Sequence, residues 1–145
     1  MKTLIDFITE SNKIEGITGL SLEDHRAHEV FLSTHLSVET LQAFVLTVAS
    51  QPLRELRGQD VRVGQHIAPA GGSLIRPALE KILDLVDRHE QHCAYLTLHP
   101  FMDGNGRSAR ALWLKRRGNI PAIGFLQSFY YETLQAADGR KKTTK

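Results

Sequence analysis

The sequence predicts an all-α fold: one mainly helical domain of 145 residues with a single small β element. Three observations predict it. Apolar residues recur at i, i+3, i+4 spacing through most of the chain, the period of a helix with one buried face. Ser, Thr and Gly stand where such segments would begin and end. Only residues 61–67 alternate apolar with polar in the two-residue period of a strand.

Thr3 is placed to cap a first helix, with Asp6 in its first turn and Leu4, Phe7 and Ile8 on one face. Gly16 stands where a left-handed residue would stop it. Ser21-Leu22-Glu23-Asp24 opens a second helix running to about residue 33. Ser37 caps a third, with Val38, Leu41, Val45 and Val48 on one side. Pro77 suits the first turn of a fourth that carries Leu79, Ile82, Leu83 and Val86. A fifth covers about residues 89–98. A sixth runs from about 106 to 117 and ends at Gly118, and Pro121 opens a seventh reaching residue 134. Within 61–67, Val61, Val63 and Ile67 alternate with polar residues, and Pro69 and Gly71-Gly72 follow, so a short hairpin or an extended loop is expected.

Composition narrows the function classes. Hydrophobic residues are 41% and charged residues 23%, ordinary for a globular protein. A formal net charge of +2 provides no basic field of the nucleic-acid-binding kind. The basic end, residues 140–145, reads as a solvated terminus. Cys93 is the single cysteine and has no partner for an internal disulfide. No apolar run approaches the ~18 residues of a membrane span, and the N-terminus carries no signal-peptide h-region. A cytoplasmic protein with neither nucleic acid nor membrane as partner is expected.

The chemistry concentrates in residues 99–110, His99-Pro100-Phe101-Met102-Asp103-Gly104-Asn105-Gly106-Arg107-Ser108-Ala109-Arg110. A Gly104-Asn105-Gly106 loop feeding a helix offers backbone N–H groups beside the positive end of the helix dipole, a phosphate cradle. Arg107 and Arg110, three apart, are neighbours on that helix, and two guanidiniums beside one cradle suit a polyphosphate. Asp103 is a hard oxygen ligand placed for a magnesium ion that bridges phosphate oxygens. His99, with an ordinary pKa near 6.5, suits a general base at neutral pH. Phe101 reads as a structural ring pinning the loop, and Pro100 stiffens its entry.

These twelve residues resemble the core motif of the Fic family, His-Pro-Phe-x-Asp-Gly-Asn-Gly-Arg-x-x-Arg, matching all nine specified positions. A chance match has a probability on the order of 10⁻¹² per starting position. The resemblance extends over nearly the whole chain and implies a compact helical domain, residues 1–145, that transfers AMP from ATP to a Ser, Thr or Tyr hydroxyl of a target protein or of itself. It implies His99 as the base, Asp103 as the Mg2+ ligand, and Gly104, Asn105 and Gly106 as the anion hole. Arg107 would assist the phosphates and Arg110 would reach the γ-phosphate.

Residues 61–67 (Val61, Arg62, Val63, Gly64, Gln65, His66, Ile67) correspond in place and pattern to the family's flap, about 61–72, which holds the target by strand-like pairing. A hairpin that merely covers the core is the plainer reading of the same residues. Ser11-Asn12-Lys13-Ile14-Glu15-Gly16 resembles the family's inhibitory motif, Ser/Thr-x-x-x-Glu-Gly/Asn, within a helix of about residues 3–16. Ser11 and Glu15, four apart, share a face. Carried over, Glu15 pairs with Arg110 and fills the γ-phosphate's place. Three rival functions remain: transfer of another phosphate-containing group, removal of AMP, and a non-catalytic nucleotide-binding module. Doc-type relatives depart from Gly-Asn-Gly, which this chain retains.

Overall fold

The structure, a computed structural model, describes residues 3–49, 55–63 and 65–118, with Val63 described by its backbone alone. Along them run α1 (Leu4–Ile14), α2 (Leu22–Ser33), α3 (Val38–Val48), β1 (Arg62–Val63), β2 (His66–Ile67), α4 (Ile75–Leu83), α5 (Arg88–Leu98) and α6 (Asn105–Arg117). The chain is mainly helical, as expected. The expected seventh helix, the basic end at 140–145 and Gly64 lie outside the described residues.

Local chemistry explains the helix boundaries. The side chains of Thr3, Ser21 and Ser37 each accept the N–H three residues on, from Asp6, Asp24 and Thr40, and those residues reach back to the cap's own N–H. Asp87 starts α5 by accepting from Glu90. Gly118 ends α6 as expected.

One expectation about α4 fails. The helix stops at Leu83, and Val86 is 91% exposed instead of sharing the face of Leu79. Tertiary donors take the carbonyls that would have continued the helix. Gln91 Nε2 reaches Ile82, Leu83 and Leu85, and Arg116 Nη2 reaches Leu83 and Leu85. Asp87 then begins the next helix, leaving Val86 in the connection.

The β element is a hairpin, with β1 antiparallel to β2 in the register Arg62↔Ile67 and Val63↔His66. Folding back within the segment breaks the single-strand parity expected for Val61, Val63 and Ile67. Arg62 and Ile67 are cross-strand partners on one face, and Ile67 is 65% exposed. The pairing continues where Ala68 N–H donates to Val61 C=O at 3.1 Å.

The site is positioned by α6, which touches α1, α2, α3 and α5. Its buried residues run without a break from Asn105 through Leu114 apart from Gly106, as expected for a helix surrounded by others. The main core joins Phe31, Leu41, Phe44, Leu79, Tyr95 and Leu112 among others, and Phe101 belongs to it, 1% exposed. A second, smaller cluster seats α1: Phe7 and Ile8 pack on Trp113 and Leu114 at the far end of α6. Thus α1 lies against the helix that carries the motif. Among the described residues no helix is long and apolar enough to cross a membrane.

Candidate active site

His99 and the run from Met102 to Arg107 form one wall of a cavity of about 600 Å³, a volume in the range of small-molecule sites. His99, Asp103, Gly104, Asn105, Gly106 and Arg107 line it, and Glu15, Ile17, Val48 and Ala49 face them. His99, Asp103, the Gly104–Gly106 turn and Arg107 are therefore brought together, with the end of α1 opposite.

The cradle depends on how α6 begins. Unlike α1, α2, α3 and α5, it starts at a residue with no capping side chain, Gly104. Its first N–H groups have no partner within the helix, and the positive end of its dipole meets the cavity. Below, the turn is braced. Asn105 is buried, its Oδ1 accepting from Phe101 N–H at 2.9 Å and its Nδ2 donating to Phe101 C=O at 2.7 Å. Asn105 therefore offers an anion its backbone, not its amide. Ser108 Oγ donates to Gly104 C=O at 2.7 Å and lies 2.7 Å from the buried Tyr95 hydroxyl. Asp103 accepts from Gly104 N–H at 2.8 Å and is half-buried on the cavity wall.

His99 ends α5 in the left-handed region, with φ 54°. It is the one non-glycine residue with positive φ among those described. Its imidazole is half-buried on the cavity wall, and its pKa is pushed down to about 4, not the ordinary 6.5 expected. Burial is the main cause, followed by the positive charges of Arg57 and His66, with Glu15 opposing. At neutral pH the ring is therefore uncharged and able to accept a proton. A polyphosphate beside it would favour the protonated form and raise its basicity.

The two arginines of the motif separate. Arg107 lines the cavity, but Arg110 is absent from its walls and fully buried. What covers it is α1. Arg110 Nη2 meets Glu15 Oε2 at 2.7 Å, and its Nε and Nη2 donate to Ser11 Oγ at 2.8 Å and Ser11 C=O at 3.1 Å. Glu15 retains 36% side-chain exposure toward the cavity. The second glycine of the cradle leaves room for this carboxylate, because a Cβ at Gly106 would collide with Glu15 Oε2.

The turn after α1 fixes the carboxylate's position. Glu15 is the C-cap, Gly16 follows at φ 79°, Gly16 N–H reaches Lys13 C=O and Ile17 N–H reaches Asn12 C=O, both at 3.0 Å. Asn12, buried, ties the turn to α2 by donating to Gly19 C=O and Asp24 Oδ2. Gly16→Ala forces an L side chain into the left-handed region at about 1 kcal/mol. Thermal unfolding should show a Tm lower by a few degrees; an unchanged Tm would show that the turn is not held this way.

Sequence reasoning missed Arg57, which is 2% exposed and donates through Nε to His99 C=O and through Nη2 to Leu98 C=O at 2.9 Å. No pattern in the sequence distinguishes it from Arg54 or Arg62, since burial of one loop arginine is a tertiary fact. Nor did the sequence mark Tyr95 and Ser108 as a brace.

Among the described residues no group of three His, Cys, Asp or Glu side chains gathers to hold a metal. That is compatible with magnesium at Asp103, because this ion commonly takes one or two carboxylates and completes its shell with phosphate oxygens and water. No family model matches the chain, and no curated protein matches its sequence, so what this site can do rests on its own residues.

Proposed function

We propose that this protein is a Fic-type AMP transferase that moves AMP from ATP to a hydroxyl of a target protein or of itself, and that Glu15 restrains it. The observation that carries the reading is the Glu15–Arg110 pair: a carboxylate occupies the guanidinium beside an otherwise open anion cradle. An anion-shaped place filled by the protein's own anion is what competition with a terminal phosphate requires.

In this reading the polyphosphate lies along the start of α6, on the N–H groups from Gly104 to Arg107, with the Arg107 guanidinium beside it. Asp103 would hold magnesium, which supplies charge neutralisation of the phosphates when bound. The uncharged His99 imidazole takes the proton of the target hydroxyl. The hydroxyl oxygen then bonds to the α-phosphorus, the bond from that phosphorus to the bridging oxygen breaks, and pyrophosphate leaves with the electron pair. Positioning and preorganised charge supply most of the acceleration. Among the described residues the hairpin is a two-stranded ribbon whose edges could pair with an extended target segment.

One observation favours a second reading. Glu15 and His99 line the same cavity, so the carboxylate is also placed to orient a water that would remove AMP from a modified protein.

Labelled ATP separates these possibilities. Wild type, Glu15→Gly and His99→Ala are incubated with it in cell lysate, and modified proteins are identified by mass spectrometry. Glu15→Gly should label strongly, and His99→Ala should bind ATP yet lose labelling by about 10²- to 10⁴-fold. Loss of AMP removal in Glu15→Gly would favour the hydrolase. Binding of ATP with no transfer or removal by any variant would leave only a nucleotide-binding module.

A further inference from the structure

Four consecutive carbonyls at the end of α5 are gripped from the hairpin side of the molecule. Thr97 C=O accepts from His66 Nε2 at 3.0 Å and Leu98 C=O from Arg57 Nη2 at 2.9 Å. His99 C=O accepts from Arg57 Nε, and Pro100 C=O from the Arg57 backbone N–H at 2.9 Å. A helix leaves its last carbonyls without internal partners and carries its negative dipole end there, so a cation is favoured. The same guanidinium also donates to Gln59 C=O at 2.8 Å and to Pro69 C=O, which flank the hairpin on either side. Gly72 N–H returns to Arg57 C=O at 3.2 Å.

Burying a guanidinium among backbone carbonyls is costly unless its fork is satisfied on all sides. Here the fork spans two structures whose other polar link among the described residues is the bond from His66 to Thr97 C=O. One is the left-handed residue His99, whose backbone persists in that region only where its surroundings over-determine it. The other is the ribbon β1–β2.

We infer that Arg57 is a positioning residue: it holds the backbone of His99 in its left-handed turn and locks that turn to the hairpin. An extended chain seated on the hairpin is thereby held in fixed register with the imidazole. The second part rests on the transfer reading above, whereas the clamp on His99 stands without it. Arg57 does not line the cavity of the cradle. Its effect passes through His99.

Arg57→Lys tests this, because lysine keeps the charge and loses the planar fork that serves both structures at once. In the Glu15→Gly background, kcat for labelling should fall by about 100-fold, with KM for ATP unchanged because the cradle is untouched. Arg57→Ala should fall further and recover in part when guanidinium ion is added. A kcat unchanged in Arg57→Lys, or a rise in KM for ATP equal to the fall in kcat/KM, overturns the inference.

A readout free of activity accompanies it. The imidazole resonances of His99, His28 and His92 are titrated by NMR in wild type and Arg57→Lys. The charged or titratable groups acting on His99 are Arg57, His66 and Glu15, and the lysine variant retains all three charges. Loosening of the turn admits water, so His99's midpoint should rise from about 4 toward the ordinary value, while His28 and His92, near 4 in the core, stay put. All three rising together would mean general loosening and would overturn the specific role, as would an unmoved His99. If no variant transfers anything from ATP, the transfer reading falls while this titration still decides on the clamp.

Discussion

Glu15→Gly is expected to raise AMP incorporation roughly 30- to 150-fold over wild type. The figure follows from a partly buried carboxylate–guanidinium pair of about 2–3 kcal/mol, read as the bias between the restrained and competent states. The pair sits with Arg110 fully buried and Glu15 at its edge. Removing the carboxylate opens the Arg110 fork to the cavity without disturbing the Ser11 contacts, which keep Nε and Nη2 satisfied. Ser11→Ala deletes one neutral acceptor and should raise labelling only a few-fold. Initial rates with labelled ATP check both. Equal rates for wild type and Glu15→Gly would show that the pair is structural and that Arg110 does not wait for a phosphate.

Acidification from pH 7 to pH 5 is expected to remove about 2 kcal/mol of stability for each of two buried histidines, His28 and His92. Burial is the first cause in both, lowering each pKa from 6.5 to about 4. His28 packs edge-on between Phe7 and Phe44 and uses Nδ1 on Asp24 C=O at 2.7 Å. His92 lies near Arg110, whose charge opposes a second cation there. The sign follows from proton binding. Between about pH 4 and 6.5 the unfolded chain holds protons on these rings that the folded chain refuses, so stability is complete above 6.5 and is lost as pH falls through that window. The sum is a large share of the roughly 5–15 kcal/mol of a typical domain. Urea midpoints at pH 7, 6 and 5 measure it. A midpoint unchanged down to pH 5 would show that these rings take up protons in the folded state.

Much of this molecule was legible because its signals are local. Thr3, Ser21 and Ser37 cap helices by contacts three residues away, and Gly16 and Gly118 take the left-handed positions that only a short-range rule is needed to foresee. The face of Val38, Leu41, Val45 and Val48 is buried as its spacing demands. The candidate site was legible for a similar reason. Its proposed cradle, base and magnesium ligand fall within twelve residues, and Ser11 with Glu15 lies on one turn of helix.

What escaped the sequence depends on contacts across long separations. Val86 loses its place because Gln91 and Arg116 draw off the carbonyls of α4. A short hairpin was expected at 61–67, but not that its turn falls inside the alternating run and pairs Ile67 with Arg62. The low pKa of His99 arises from burial and from Arg57, 42 positions away. The sequence placed the Asn105 backbone in the cradle but gave no sign that its side chain braces the turn from beneath.

Crystals of wild type and Glu15→Gly soaked in magnesium–ATP test the central claim most directly. The polyphosphate should lie on the N–H groups that open α6, with the His99 imidazole beside the α-phosphate, and in Glu15→Gly the terminal phosphate should contact Arg110. An empty turn at Gly104–Gly106 in the variant, or an imidazole turned away from the nucleotide into the interior, would contradict the account.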